Sequence, residues 1–307
     1  MKIIGREIPD DYIRHLVMKI KEKKELSGLD VQIVLEQLKK EIAKDSKLAN
    51  LLKEQKKAAE KKIVKLVRDT LRKMHGTFNT GVSKRRDVLS RYIKMKDEDM
   101  IIDLIKTHKS SSERLDIYEN LYHNIFEITE QNSSILDLGC GLNPLSVIFM
   151  DNKKINYTAC DISSDDLSLI STFFKEYSKL YPEFSGNTQS INLFEAKKQD
   201  LFKKFQFYDI CFLFKVLESI ELSKSHKISE NLILTIPADW IVVSFPKQTV
   251  SGRKMRFPRR GWFEKMLQRL KLHHRVLEYE NEIFYIIRKV VDLETAIATE
   301  LVEKPEE

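Results

Sequence analysis

From residue 10 to residue 106, apolar side chains recur every three or four positions, the period of an amphipathic helix. Ile13, Leu16, Val17 and Ile20 mark a first helix that Pro9 and Asp10 can start and Gly28 closes. Val31, Val34, Leu35, Leu38 and Ile42 share one face of a second, over residues 30–44. A third, longer helix is expected over 46–75, with Leu48, Leu51, Leu52, Ala59, Ile63, Leu66, Val67 and Leu71 inside and Gly76 as its stop. Two shorter helices, 85–94 and 97–106, follow; only residues 2–4 read as a strand.

The pattern then changes to short apolar runs separated by amphipathic stretches. Runs at 135–138, 157–160, 208–214 and 240–245 read as buried parallel strands, 188–193 as a weak one, and 274–279 with 283–288 as a closing pair. Helices are expected from the 107–114 stretch to about 128, and over 165–179, 216–234 and 262–272. The alternation predicts an α/β fold with a Rossmann-like sheet behind an all-helical domain. We divide the chain into a helical domain (1–106), a sheet domain (107–290) and an acidic tail (291–307).

The run 135–138 ends in Gly139-Cys140-Gly141, where missing Cβ atoms permit a sharp turn and close approach of a ligand. Asn143 suits an N-cap and Pro144 a first helical residue, so a helix is expected to open there. A dinucleotide fingerprint requires a third glycine where Pro144 stands. Asp137-x-Gly139-x-Gly141 instead resembles the first motif of S-adenosylmethionine-dependent methyltransferases, which implies a class I methyltransferase sheet. Asp161 ends the next run, 22 residues after Gly139, where a carboxylate can accept both ribose hydroxyls. A plain turn followed by a capping aspartate is the competing reading.

Composition narrows the class. The 307 residues are 42% hydrophobic, enough for a sizeable core, and no apolar run approaches the length of a membrane span. Cys140, Cys160 and Cys211 lie at apolar runs without paired spacing, which disfavours disulfides and zinc and suits a cytoplasmic setting. The net charge of +7 is uneven. Residues 1–107 hold 27 Lys/Arg against 17 Asp/Glu, or +10, leaving −3 for the remainder. A polyanionic partner or merely solvated helix faces account for that excess. Lys84, Arg85 and Arg86, and the later cluster Lys247, Arg253, Lys254, Arg256, Arg259 and Arg260, are the candidate phosphate contacts.

Ser110 and Glu113 have the spacing of a capping box, and Arg114 suits either an ion pair or a cofactor carboxylate. Asp200 and Leu201 are placed to hold an adenine, and Phe214 and Lys215 end the fourth strand facing a transferable group. Phe245, Phe257 and Trp262 suit either a core or stacking on a base.

Taken together, His108-x-Ser110-x-x-Glu113-Arg114, the segment from Ile135 through Gly141-Leu142-Asn143-Pro144-Leu145, Phe214-Lys215-Val216-Leu217 and Val243-Ser244-Phe245-Pro246 resemble the aminoglycoside-resistance 16S ribosomal RNA methyltransferases. The resemblance implies methylation of guanine N7 in the decoding-site helix, guanine-1405 type, and a helical RNA-binding domain. It implies S-adenosylmethionine held by His108, Ser110, Arg114, Asp137, Gly139, Gly141, Asp161, Ile162, Asp200, Leu201, Phe214 and Lys215, with Lys215 and Phe245 positioning the base. Guanine N7 carries a lone pair and no proton, so neither a general base nor a metal is expected. After Ser251-Gly252-Arg253 the chain has Lys254-Met255-Arg256-Phe257-Pro258, shorter than the family's glycine-containing loop with its following tyrosine. The expected partner is 16S ribosomal RNA or the small ribosomal subunit, met by a monomer away from membranes. Methylation of another ribosomal or transfer RNA position, and a non-catalytic RNA-binding assembly factor, are the alternatives.

Overall fold

The computed structural model describes residues 2–3, 6–75, 84–130, 133–193, 201–221, 226–248, 253–256 and 258–289. Gly76, Asp200, Ser251, Gly252, Phe257 and the tail 291–307, for which the sequence carried expectations, lie outside these residues.

A two-residue pair, β1 (Lys2–Ile3) and β2 (Arg6–Glu7), precedes helices α1 (Asp10–Lys21) and α2 (Val31–Lys44). Asp30 caps α2 by accepting from the Gln32 amide. The expected long third helix is two, α3 (Ser46–Lys53) and α4 (Lys57–His75), because the chain turns at Gln55 with φ +54°. Leu51 in α3 and Leu66 in α4, expected inside, are exposed. Helices α1–α4 enclose one apolar core running from Ile8 to Leu71.

Helices α5 (Arg85–Met95) and α6 (Asp99–Lys106) belong elsewhere. Val88, Leu89, Tyr92, Ile101, Leu104 and Ile105 share a core with the sheet, so the packing boundary falls before α5, not at 106. The chain continues through α7 (Lys109–Ser112), a 3-10 turn at Leu115–Ile117 and α8 (Tyr118–Thr129), where one unbroken helix was expected.

The sheet follows as β3 (Ser134–Leu138), β4 (Asn156–Asp161), α9 (Ser164–Leu180), β5 (Ser185–Ser190) and β6 (Tyr208–Phe214). Then come α10 (Leu217–Ile220), α11 (Lys227–Thr235), β7 (Ala238–Pro246), α12 (Gly261–Arg269), β8 (His274–Glu278) and β9 (Glu282–Arg288). Two helices therefore replace the single one expected over 216–234. The strand β5 starts three residues before its expected place; it is a polar, exposed edge whose following Ile191 mimicked a strand interior.

Strand order is β5-β4-β3-β6-β7-β9-β8, parallel from β5 to β7, with β9 antiparallel to β7 and β8. The chain leaves β3 in one direction and returns to its other side at β6, so their carboxyl ends bound a topological switch point, where open α/β sheets bind ligands. The amino-terminal bundle docks beside it. The Asp30 amide donates to Ile162 O at 2.9 Å, and Ser164 Oγ donates to Gly28 O at 2.9 Å. Among the described residues no helix is long and apolar enough to cross a membrane.

Candidate active site

A cleft at the switch point is lined by His108, Ser110, Arg114, Gly139, Gly141, Asp161, Ile162, Phe214 and Lys215, nine of the twelve residues expected to hold a cofactor. The turn after β3 forms one wall. Gly139 and Gly141 have φ +68° and +50°, and the Gly139 and Cys140 amides donate to Cys160 O at 2.8 and 3.1 Å, fastening the turn to β4. A Cβ on Gly141 would lie 2.5 Å from the His108 ring. Glycine is thus required by both backbone and space.

Asp161 stands at the carboxyl end of β4. Its Oδ2 accepts from the Gly141 amide and its Oδ1 from the Ser163 amide, each at 2.9 Å, which fixes a buried carboxylate at the cleft wall. Asp137 is placed differently: it does not line the cleft. Its Oδ2 accepts from Asn143 Nδ2 at 2.9 Å and Tyr157 Oη at 2.7 Å beneath the turn. Burial pushes its carboxyl up to about 6, against those two hydrogen bonds. Asn143 is consumed by this contact and by the Tyr118 hydroxyl at 3.0 Å, so it caps nothing; the segment Asn143–Phe149 is a 3-10 helix, not the expected α-helix.

The opposite wall comes from the 108–114 stretch. His108, not Ser110, caps α7, its Nδ1 accepting from the Ser111 amide at 3.4 Å and lying 3.0 Å from Ser111 Oγ. The expected capping box is absent because both partners are engaged elsewhere. Ser110 Oγ accepts from Arg114 Nη2 at 3.2 Å, and Glu113 accepts from Lys215 Nζ at 2.6 Å.

Arg114 is 1% exposed, with its guanidinium 4.8 Å from the Phe214 ring centroid. It pairs with Glu282, Nε at 3.0 Å and Nη2 at 2.9 Å from Oε1. Glu282 also accepts from the Ser244 hydroxyl and lies 2.9 Å from Lys215 Nζ. Burial alone would raise the Glu282 carboxyl, but Arg114 and Lys215 outweigh it and hold it below its ordinary value. Burial likewise opposes the Arg114 charge, and Glu282 overcomes it. Lys215 sits at φ +59° after β6, its amide donating to Ser244 Oγ at 3.0 Å. The outcome is a cluster of two cations and two carboxylates in which Arg114, Lys215 and Glu282 have buried side chains and Glu113 is exposed.

Glu282 and Glu113 had no place in the sequence-based site. The last of three alternating acids, Glu278, Glu280 and Glu282, set directly against the apolar run 283–287, was the available signal for Glu282. Ile191, Leu193, Ser219 and Ile220 also line the cleft, as do Ser111, Cys140, Asp166 and Val216, and none of these was expected there. Leu201, expected there, packs on the apolar core behind β6 and β7 instead.

Three further expectations require correction. Arg85 is buried and donates to Asp166 Oδ1 at 2.6 Å and to Thr107, so it does not face solvent with Lys84 and Arg86. Arg260 is buried too, its guanidinium bound to Glu218 Oε1 at 2.6 Å, Pro258 O at 2.5 Å and Pro246 O at 3.0 Å. Phe245 is fully buried against Trp262, Phe263 and Tyr285 and offers no face to a base. Of the remaining cluster, Arg253, Lys254, Arg256 and Arg259 are exposed, and Lys247 is held by Tyr279 O at 2.8 Å.

Residues 98–273 match the ribosomal RNA methyltransferase (FmrO) family. The 16S rRNA (guanine(1405)-N(7))-methyltransferase of Proteus mirabilis is 24% identical over 210 residues, 63% of this chain and 67% of that protein. Its namesake from Micromonospora rosea is 24% identical over 237 residues, 74% and 82% of the two chains. The fold is shared with the 16S rRNA methyltransferase RmtF, solved with S-adenosyl-L-homocysteine, at a TM-score of 0.68 and 20% identity over 92% of this chain and 100% of that one. It is shared also with the 16S rRNA methylase RmtB, at 0.64 and 21% over 91% and 98%. By its matched residues, the chain belongs to the ribosomal RNA methyltransferase (FmrO) family.

Proposed function

We propose that this chain, acting as a monomer, methylates N7 of a guanine in 16S ribosomal RNA, at the 1405-type position of its named relatives. The observation that carries the reading is one cleft at the switch point bringing together the glycine turn, the Asp161 carboxylate and the Arg114 guanidinium.

These residues fit S-adenosylmethionine. Each Asp161 oxygen accepts one backbone amide and has capacity for a further donor, which suits a ribose diol. Ile162, Ile191, Leu193 and Ile220 provide apolar surface for an adenine. Arg114 is charged, buried and held by Glu282, which suits a carboxylate, and the turn presents backbone without Cβ atoms. When bound, the cofactor supplies an electrophilic methyl group.

The chain's own contribution is positioning. Guanine N7 needs no proton removed, so in-line orientation can account for roughly 7 to 11 kcal/mol of the barrier in favourable cases. Phe214 and Lys215 end β6 at the cleft, and the Lys215 ammonium is fixed between Glu113 and Glu282. The base leaves its stack to reach them. Exposed Lys84, Arg86, Arg253, Lys254, Arg256 and Arg259, with the lysines of α4, orient the RNA through its phosphates. Incubation of the full chain with small ribosomal subunits and methyl-labelled S-adenosylmethionine tests this reading: label enters 16S RNA if it holds, and label absent from that RNA refutes it.

A further inference from the structure

Arg85 lies between two exposed cations, yet is itself 3% exposed. Its guanidinium leaves the first turn of α5 and ties two other segments together. Nη1 donates to Asp166 Oδ1 at 2.6 Å in the first turn of α9, Nε donates to Thr107 Oγ1 at 2.7 Å, and Nη2 donates to Thr107 O at 3.0 Å. A planar fork with donors in fixed directions sets the distance and angle between its partners, which a single ammonium does not.

Both partners lead into the cleft. Asp166 lines it, and its amide donates to Ser163 Oγ at 3.3 Å, two residues after Asp161. Thr107 directly precedes His108, whose ring lines the cleft and packs so close to Gly141 that a single added carbon would meet it at 2.5 Å. A shift of residue 107 therefore either pushes His108 into the glycine turn or opens the wall. We propose that Arg85 is a positioning residue of the cofactor cleft, holding His108 and Asp166 in register across it. This rests on the reading of that cleft as an S-adenosylmethionine site. Lys84 and Arg86 supply the internal control: they adjoin Arg85 in sequence, are exposed, and do not line the cleft.

The test measures two properties of the full-length protein without its RNA: S-adenosylhomocysteine affinity by calorimetry, and backbone hydrogen exchange across residues 107–112. Arg85→Lys keeps a cation for Asp166 but loses the fork to Thr107. We expect its dissociation constant to rise at least tenfold and the Ser111 and Ser112 amides to exchange faster. Lys84→Ala with Arg86→Ala should change neither. If Arg85→Lys does not fold, Arg85→Met with Asp166→Asn removes both buried charges together and is held to the same expectation. A folded Arg85 variant with parental affinity and parental exchange overturns the proposal. Faster exchange at 107–112, in a protein whose parent binds no S-adenosylhomocysteine, upholds the positioning of His108 and refutes the cofactor reading instead.

Discussion

Arg114 Nη2 and Glu282 Oε1 meet at 2.9 Å although 168 residues separate them in the chain, and both side chains are almost wholly withdrawn from solvent. The pair joins the 108–114 stretch to the last strand, β9. Because Glu282 also faces Lys215 at 2.9 Å, one carboxylate contacts two cations at the switch point, and Glu113 supplies the second negative charge at Lys215. Arg114 is thereby held at the cleft without a flexible search for its ligand.

Glu282→Gln should destabilise the protein by about 3–5 kcal/mol, the usual cost of leaving a buried charge without its partner. The pH dependence has a definite sign. The folded carboxyl lies below its ordinary value of 4.5, so its stabilisation is present above that value and is lost as pH falls through the folded one. Urea titrations should show a wide gap between parent and variant at neutral pH and a narrowing one below 4.5. A gap independent of pH would show that Glu282 acts by packing alone.

Asp137 titrates in the opposite sense. Its folded value of about 6 exceeds the ordinary 3.8, so the native state binds the extra proton and stability declines as pH rises between the two. The decline attributable to this group is about 2–3 kcal/mol. Asp137→Asn should flatten stability against pH across that interval while keeping an acceptor for Asn143 and Tyr157. An unchanged slope would assign the titration to another group.

Asp161→Ala should weaken S-adenosylhomocysteine binding by roughly 2 kcal/mol or more, since charge-assisted hydrogen bonds are lost and the Gly141 and Ser163 amides are left without their acceptor. Calorimetry with parental affinity would remove Asp161 from the site.

The two kinds of arginine should separate cleanly. Neutralising Lys84 and Arg86 together should weaken RNA binding and flatten its salt dependence by about 0.7 to 0.9 logarithmic units per lost phosphate contact. Arg260→Met should lower the melting temperature instead, because it removes a buried guanidinium that ties Glu218 to the Pro246 and Pro258 carbonyls. Filter binding over a salt series, beside thermal melts, distinguishes them. Equal salt slopes in the Lys84/Arg86 variant and the parent would move RNA binding to the loop around Lys254.

Where local chemistry decided the structure, the sequence was readable. The glycine turn, Asp161 at the end of β4 and Lys215 after β6 follow from short-range rules about strands and turns, and all of them line one cleft. Long-range partners were not legible in this way. Nothing near Arg85 or Arg260 in the chain announces Asp166 or Glu218, so a basic run was read as a surface when one member of each cluster is a buried tie. Glu282 escaped for the same reason: its partners are 168 and 67 positions away. Asn143 is the reverse case, a residue with good capping propensity whose side chain is claimed by Asp137 and Tyr118 across the core.

The chemistry itself is tested most directly by treating methylated small-subunit RNA with borohydride and aniline, which cleave the chain at N7-methylguanine. A single new break is expected at the 1405-type guanine, dependent on both protein and S-adenosylmethionine and weakened by Asp161→Ala at limiting cofactor. Labelled RNA that carries the methyl group yet resists cleavage would contradict it.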